Sequence, residues 1–352
     1  MEEYYNQPFV RIDDTEIVFA VIGKGFPAAL MAEQLILRNQ KIYVHITDPK
    51  IDSLLTTMGA THLNSPLDAL KHANIIISFM DTGEEVEELY LGKDGLLERA
   101  KPGTYFIEMT GQEPSMSQDL GALAAVNDLH FLDCAPVYPL VIGDLNSASL
   151  AVGATREDFH KLEDILKIFY EDVVYVGSPG QGSQARLASV IASCSFVHGI
   201  VEAYAFADVS NLKVDGLASL LTSIFEGSTL PNAIRTYISS ETYRIGTSVS
   251  SVIYDLETAL DYAESFELAL PGTEVAYQLL CMLSNVGGDK MAIQALALLY
   301  EEDTYSRKFG LDWSDAVHSD FDIHMPPIQS DDDLQPPQDG FFGGFNQFFS
   351  SN

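Results

Sequence analysis

The sequence predicts an α/β fold in which a doubly wound parallel sheet is followed by an all-helical domain. From about residue 15 to 178, short β-type runs alternate with helical stretches. From Gln181 onward the β signal fades, and apolar residues recur at helical spacing. Predicted boundaries are an extension over 1–14, the sheet domain over 15–178, a helical domain over 179–302 and a tail over 303–352.

The first strand is Ile17 to Ile22, running straight into Gly23-Lys24-Gly25-Phe26-Pro27-Ala28 and then a helix over Ala28 to Arg38. In that layout Gly23 makes a tight turn, Gly25 lets the backbone approach a ligand, and small Ala28 lets the helix pack closely on the strand. A helix opening there points its N–H groups at phosphates, and Pro27 near its first turn gives up a donor the helix does not need. These residues therefore form a candidate dinucleotide-binding turn. Further strands are predicted at Lys41 to Thr47, Asn74 to Met80, Thr104 to Met109, Leu129 to Asp133, Ser149 to Gly153 and Val173 to Val176, with a helix at Met116 to Val126. Helices at Ala185 to Val209, Ser248 to Ala269 and Thr273 to Met282 make up the second domain. A cleft between two domains is the expected home of a small-molecule substrate.

Nineteen Lys plus Arg against 51 Asp plus Glu give a formal charge of −32, which disfavours nucleic acid and anionic membrane surfaces as partners. No uninterrupted apolar run is long enough to span a membrane, and the chain opens without a basic region followed by an apolar one. A cytoplasmic protein is expected. Cys134, Cys194 and Cys281 are far apart and odd in number, suiting a reducing compartment and offering no zinc site. The tail carries five phenylalanines within Phe341–Phe349, and two readings stand for it: a segment that docks on its own dimer or a partner protein, and a mobile end.

After the glycine turn come Lys93 to Pro102, Tyr105-Phe106-Ile107-Glu108-Met109-Thr110, Pro114, and Phe131-Leu132-Asp133-Cys134-Ala135-Pro136-Val137, then Tyr254 to Leu260 and Leu268 to Pro271. This order resembles the β-hydroxyacid dehydrogenase superfamily, which includes 3-hydroxyisobutyrate dehydrogenase, 6-phosphogluconate dehydrogenase and the imine reductases, over roughly residues 16 to 302. The resemblance implies a Rossmann-type first domain binding NAD(P)H, a helical second domain that forms a homodimer, and hydride transfer in the cleft.

The chain departs from that family where chemistry is done. The family's two glycines, lysine and asparagine fall at Gly180, Gly182, Arg186 and Val190. An arginine stays charged and grips a carboxylate or polarises a carbonyl, but it does not hand over a proton. The family's Ser-Gly-Gly loop falls at Tyr138-Pro139-Leu140, and Tyr254 stands where a lysine usually precedes Asp255; the loop resembles that of imine reductases. The resulting expectation is a reductase of a small imine, ketone or aldehyde. Rival readings are a dinucleotide-binding sensor or scaffold without turnover, and a 3-hydroxyacid dehydrogenase with a replaced catalytic lysine.

Catalytic candidates are Tyr138 and Tyr254 as proton donors, Arg186 as substrate or cofactor contact against a structural ion pair, and Thr110 at the family's substrate-side serine position. His198, within an apolar helix, is weighed as a satisfied core histidine against an acid-base group. Cofactor contacts are expected from Gly23, Lys24, Gly25, Phe26, Pro27, Asp48, Met80, Asp81 and Thr110. Asp48 at the end of the second strand suits ribose hydroxyls and so NAD, while nearby Lys50 suits a 2′-phosphate, leaving NAD against NADP open.

Overall fold

The computed structural model describes residues 11–12, 15–141 and 148–314. Most of the 1–14 extension and the whole Phe341–Phe349 segment lie outside the described residues. The chain divides into two compact units, one holding the residues to Tyr138 and those from Leu145 to Ser189, the other Pro139 to Asp144 and the residues from Val190.

In the first unit, β1 (Arg11–Ile12) and β2 (Thr15–Glu16) form a small antiparallel pair. The main sheet contains β3 (Phe19–Gly23), β4 (Ile42–Ile46), β5 (Thr61–His62), β6 (Ile75–Phe79), β7 (Tyr105–Glu108), β8 (His130–Val137), β9 (Ser149–Gly153) and β10 (Asp172–Gly177). Their order is β10-β9-β8-β7-β6-β3-β4-β5. With them run α1 (Gly25–Leu37), α2 (Pro49–Met58), α3 (Ala69–His72), α4 (Gly83–Leu91), α5 (Leu96–Arg99), α6 (Pro114–Val126) and α7 (Arg156–Leu166).

Alternation along the strands builds two cores. Phe19, Val21, Ile75, Ile77 and Ile107 pack with Met31 and Leu35 of α1 and Leu162 and Ile165 of α7. Ala20, Ile22, Ile76 and Phe106 face the other way, against Val86 and Tyr90 of α4 and Leu120 and Ala124 of α6. Both faces are covered by helices, so the central strands read as continuous apolar runs.

The expected parallel sheet holds from β5 through β8. The prediction is refined at the other edge, because β9 pairs antiparallel with β8, and β10 lies parallel to β9. No crossover helix separates β8 from β9 among the described residues, and a short return without one favours antiparallel pairing. The helix α7 joins β9 to β10 and restores parallel pairing. Strand β8 also outruns its predicted end at Asp133. Its first half pairs with β7 and its second half, through Pro136, pairs with β9.

The second unit is helical. Its elements are α8 (Gln181–Val209, beginning in the first unit), α9 (Val214–Ile224), α10 (Leu230–Ser239), α11 (Val249–Glu264), α12 (Pro271–Leu283) and α13 (Asp303–Ser306). A 3₁₀ stretch over Ile293–Tyr300 has almost every side chain buried. The core collects Val197, Val201 and Tyr204 of α8, Ile234 and Ile238 of α10, Val252 and Leu256 of α11 and Leu280 and Leu283 of α12. With 29 residues and a mean hydropathy of 1.5 over its most apolar window, α8 is long and apolar enough to cross a membrane. Its run is interrupted by Arg186, His198, Glu202 and Asp208, while Val197, Val201 and Tyr204 lie in a protein core.

Candidate active site

Strand order reverses at β3. The chain first steps from β3 to β4 and β5, then returns to place β6 on the other flank. The crevice outside the carboxyl ends of β3 and β6 is where open α/β sheets bind ligands, and Gly23 and Phe79 sit there in register. A Cβ on Gly23 would lie 2.4 Å from the Phe79 carbonyl oxygen and 2.8 Å from the Ala28 Cβ, so only glycine lets the strands and α1 approach this closely. Gly25 adopts φ +64, the left-handed region that glycine occupies without strain. It opens α1 without any side-chain cap and with no acidic residue in the first turn. The first amides of α1 are thus left to an outside acceptor, which is what an anionic pyrophosphate supplies. These residues fit a dinucleotide.

The other expected cofactor contacts surround the same turn. Phe26 is 62% exposed, and Pro27 is the third residue of α1. Lys24 donates its main-chain N–H to the Phe79 carbonyl at 3.0 Å. Its ammonium pairs with Glu85 of α4 and lies 3.9 Å from Asp81. That hydrogen bond with Glu85 raises the Lys24 pKa and lowers that of Glu85. Asp48 is exposed and caps α2, accepting from the Lys50 and Ile51 amides at 2.8 and 3.3 Å. The sequence reading gave that carboxylate to a ribose; in the structure it first satisfies a helix end.

Loops after β6 and β7 are tied together, since the Met80 N–H donates to the Thr110 hydroxyl at 2.9 Å. Thr110 in turn donates its N–H to Glu108 at 2.8 Å. Glu108 is fully buried, its second carboxylate oxygen has no hydrogen-bond partner, and burial pushes its pKa to about 7. In register with it on β8 is Asp133, also fully buried, which accepts from the Gly180 and Ser183 amides at 2.9 Å each and from the Ser183 hydroxyl at 2.7 Å. Sequence reasoning passed over both carboxylates as catalytic candidates. An acidic residue inside Tyr105-Phe106-Ile107-Glu108-Met109 was the available signal.

Arg186 lies in the second turn of α8. Its Nη1 donates to the Gly111 carbonyl at 2.9 Å, directly after Thr110. Gly111 has φ +72, and a Cβ there would lie 3.0 Å from Arg186 Cδ. The guanidinium is also felt by Tyr138, whose phenol is raised above its ordinary pKa by burial and pulled down to a lesser degree by Arg186. Thr110, Gly111, Arg186 and Tyr138 all belong to the first unit. Tyr254 does not; it lies half-exposed on α11 in the second. Val190 is buried in the helical core, in keeping with its replacing a polar residue. His198 lies 3.2 Å from Glu202 as an i,i+4 pair, and Asp255 is buried in α11.

Two family descriptions cover this architecture end to end. Residues 18–177 match the NAD binding domain of 6-phosphogluconate dehydrogenase, and residues 180–300 match the NAD-binding region of NADP-dependent 3-hydroxyisobutyrate dehydrogenase. The chain belongs to the β-hydroxyacid dehydrogenase superfamily. Among its relatives, an uncharacterised oxidoreductase of Bacillus subtilis, YkwC, is 29% identical over 79% of this chain and 97% of its own. Mitochondrial 3-hydroxyisobutyrate dehydrogenase of Rattus norvegicus is 26% identical over 81% and 87%. The solved Mycobacterium tuberculosis 3-hydroxyisobutyrate dehydrogenase with L-serine superimposes with a TM-score of 0.72 at 19% identity, over 81% of this chain and 100% of that one. An imine reductase from Myxococcus stipitatus gives 0.54 at 16% over 82% and 100%, and shares the fold. The family's cofactor is a nicotinamide dinucleotide, whose pyrophosphate the uncapped start of α1 at the Gly23–Gly25 turn fits.

Proposed function

We propose that this member of the superfamily reduces a small imine, ketone or aldehyde that carries an acidic group. The observation that carries the reading is Arg186, fixed by the Gly111 carbonyl beside Thr110 and within electrostatic reach of Tyr138. The bound dinucleotide supplies the hydride; the protein must orient the substrate and deliver one proton to its heteroatom. Arg186 keeps its charge through catalysis, so it holds the acidic group and polarises the reacting bond. Tyr138, a phenol protonated at neutral pH, is the proton donor, and the Arg186 charge beside it eases loss of that proton against the upward pull of burial. Thr110, locked by Met80 and Glu108, presents its hydroxyl to the reacting group.

Imine reductase and 3-hydroxyisobutyrate dehydrogenase folds both resemble this one, and the loss of the family lysine and asparagine favours the reductase. A second reading, dinucleotide binding without turnover, draws on buried Val190, which puts no polar group where the family has asparagine. Oxidation of NADPH and NADH across imines, ketones and hydroxyacids separates the two. Turnover with Arg186→Ala should lose at least tenfold in kcat/KM for substrates bearing a carboxylate and little for neutral ones; an equal loss on both removes the orienting role.

The assembly we propose is a homodimer built through the helical unit. Phe206, Val209, Leu220 and Ile224 are 68%, 80%, 63% and 66% exposed on α8 and α9, an apolar surface of the kind that marks interfaces. Sedimentation should give a dimer, and Val209→Glu a monomer.

A further inference from the structure

One cavity in the first unit is bordered by the helix start at the glycine turn and by Tyr138. It measures about 310 Å³ and lies between the first turns of α1 (Phe26, Pro27, Leu30), the end of β6 (Phe79), Tyr138 and the Phe169-Tyr170 segment after α7. No side chain that lines it is charged, which makes it a poor home for a pyrophosphate or the carboxylate that Arg186 would take. Its walls are mostly aromatic and aliphatic, with the Gln34 amide and the phenols of Tyr138 and Tyr170 as the polar side chains. The Tyr138 and Tyr170 phenols interact with one another at its wall, and burial raises the pKa of both. The cavity reaches from the glycine turn to Tyr138, so it adjoins the place where hydride and proton are to be delivered.

We infer that this cavity receives an apolar ring or branched alkyl substituent of the substrate, so that the substrate class is an aryl or bulky alkyl carbonyl or imine compound rather than a short hydroxyacid. The inference rests on the proposed reductase reading and deepens it. A dry apolar cavity of roughly 150 Å³ accepts a benzene-sized ring, so this one has room for a ring and a short linker. Burying a phenyl-sized group is worth roughly tenfold to a hundredfold in affinity.

The test compares probes matched in head group, pyruvate against phenylpyruvate and acetone against benzylacetone, by calorimetry on the full chain with and without NADP⁺. The ring-bearing probe should bind at least tenfold more tightly in each pair. Leu30→Trp, which fills the cavity, should erase that preference while leaving NADP⁺ affinity within about threefold. Leu30→Ala, which enlarges it, should move the preference toward naphthyl-sized groups and guards against a misfolded first variant. Equal affinity for both members of each pair overturns the inference, and so does a Leu30→Trp variant that keeps the ring preference or loses NADP⁺ instead. Failure of the wild-type chain to bind any dinucleotide strikes the proposed function alone, because the ring preference is also read on the free chain.

Discussion

At the scale of single residues, Glu108 is the group whose chemistry departs furthest from its surroundings. Its carboxyl ionises near 7 because it is sealed from water, with buried Asp133, Tyr90 and Cys134 around it and one oxygen unpaired. An unfolded chain would ionise the same group near its ordinary value of 4.5. The folded pKa lies above the unfolded one, so the stability tied to this proton is fully present below about 4.5 and is lost as pH rises through about 7. The gap corresponds to about 3 kcal/mol at most. Urea unfolding of wild type at pH 5 and pH 8 should show that loss, and Glu108→Gln, which cannot ionise, should flatten it. The opposite slope, or an unchanged one in the variant, would show that the carboxyl is paired after all. The same residue exposes the limit of reading side chains from sequence. Thr110 and Arg186 were legible as candidates because the resemblance carried them, whereas Glu108 looked like one more strand residue until its neighbours across the sheet were known.

At the scale of elements, helix ends and strand ends account for what was legible and what was not. The β3 turn was read from its glycine spacing between an apolar strand and a helix, because Gly23 and Gly25 answer local constraints of approach and backbone angle. Replacing Gly23 by alanine should clash with the Phe79 carbonyl, weakening dinucleotide binding more than tenfold and lowering the melting temperature. Asp48 was read for its place after β4, yet its carboxylate caps α2, a task any helix start creates. Asp48→Asn keeps a capping oxygen and removes the charge. If the same carboxylate also faces the adenosine ribose, that variant should raise the NADPH-to-NADH affinity ratio several-fold in fluorescence titration; Asp48→Ala should in addition cost about 1 kcal/mol of stability from the lost cap. The direction of β9 was not legible, since a strand of alternating apolar residues reads the same whichever way its neighbour runs. Only pairing with Cys134 to Val137 decides it.

For the molecule as a whole, the excess of acidic groups works against the substrate class proposed. A chain with formal charge −32 repels an anion on approach, and Arg186 reverses that preference only at close range. Raising salt from 20 to about 200 mM should therefore speed association of a carboxylate substrate and leave a neutral one unaffected in stopped flow. Fold class and domain order needed only the change from strand-helix alternation to helical spacing near Gln181, a signal spread over many residues. The cavity beside α1 was beyond such a reading, because it is made by Leu30, Phe79 and Tyr170, which lie far apart in the chain and meet only in three dimensions.

The reversal at β9 has a consequence for how this scaffold can change. Because β8 lies antiparallel to β9, Val137 at the end of one strand and Ser149 at the start of the other are clamped side by side. A change of side chain just past Val137 therefore leaves every strand's alignment alone, whereas Leu140 and Val141 are committed to the helical core. Tyr138 stands directly after β8, so new specificities are open to single substitutions there, while the dinucleotide platform on the far side of β7 stays untouched.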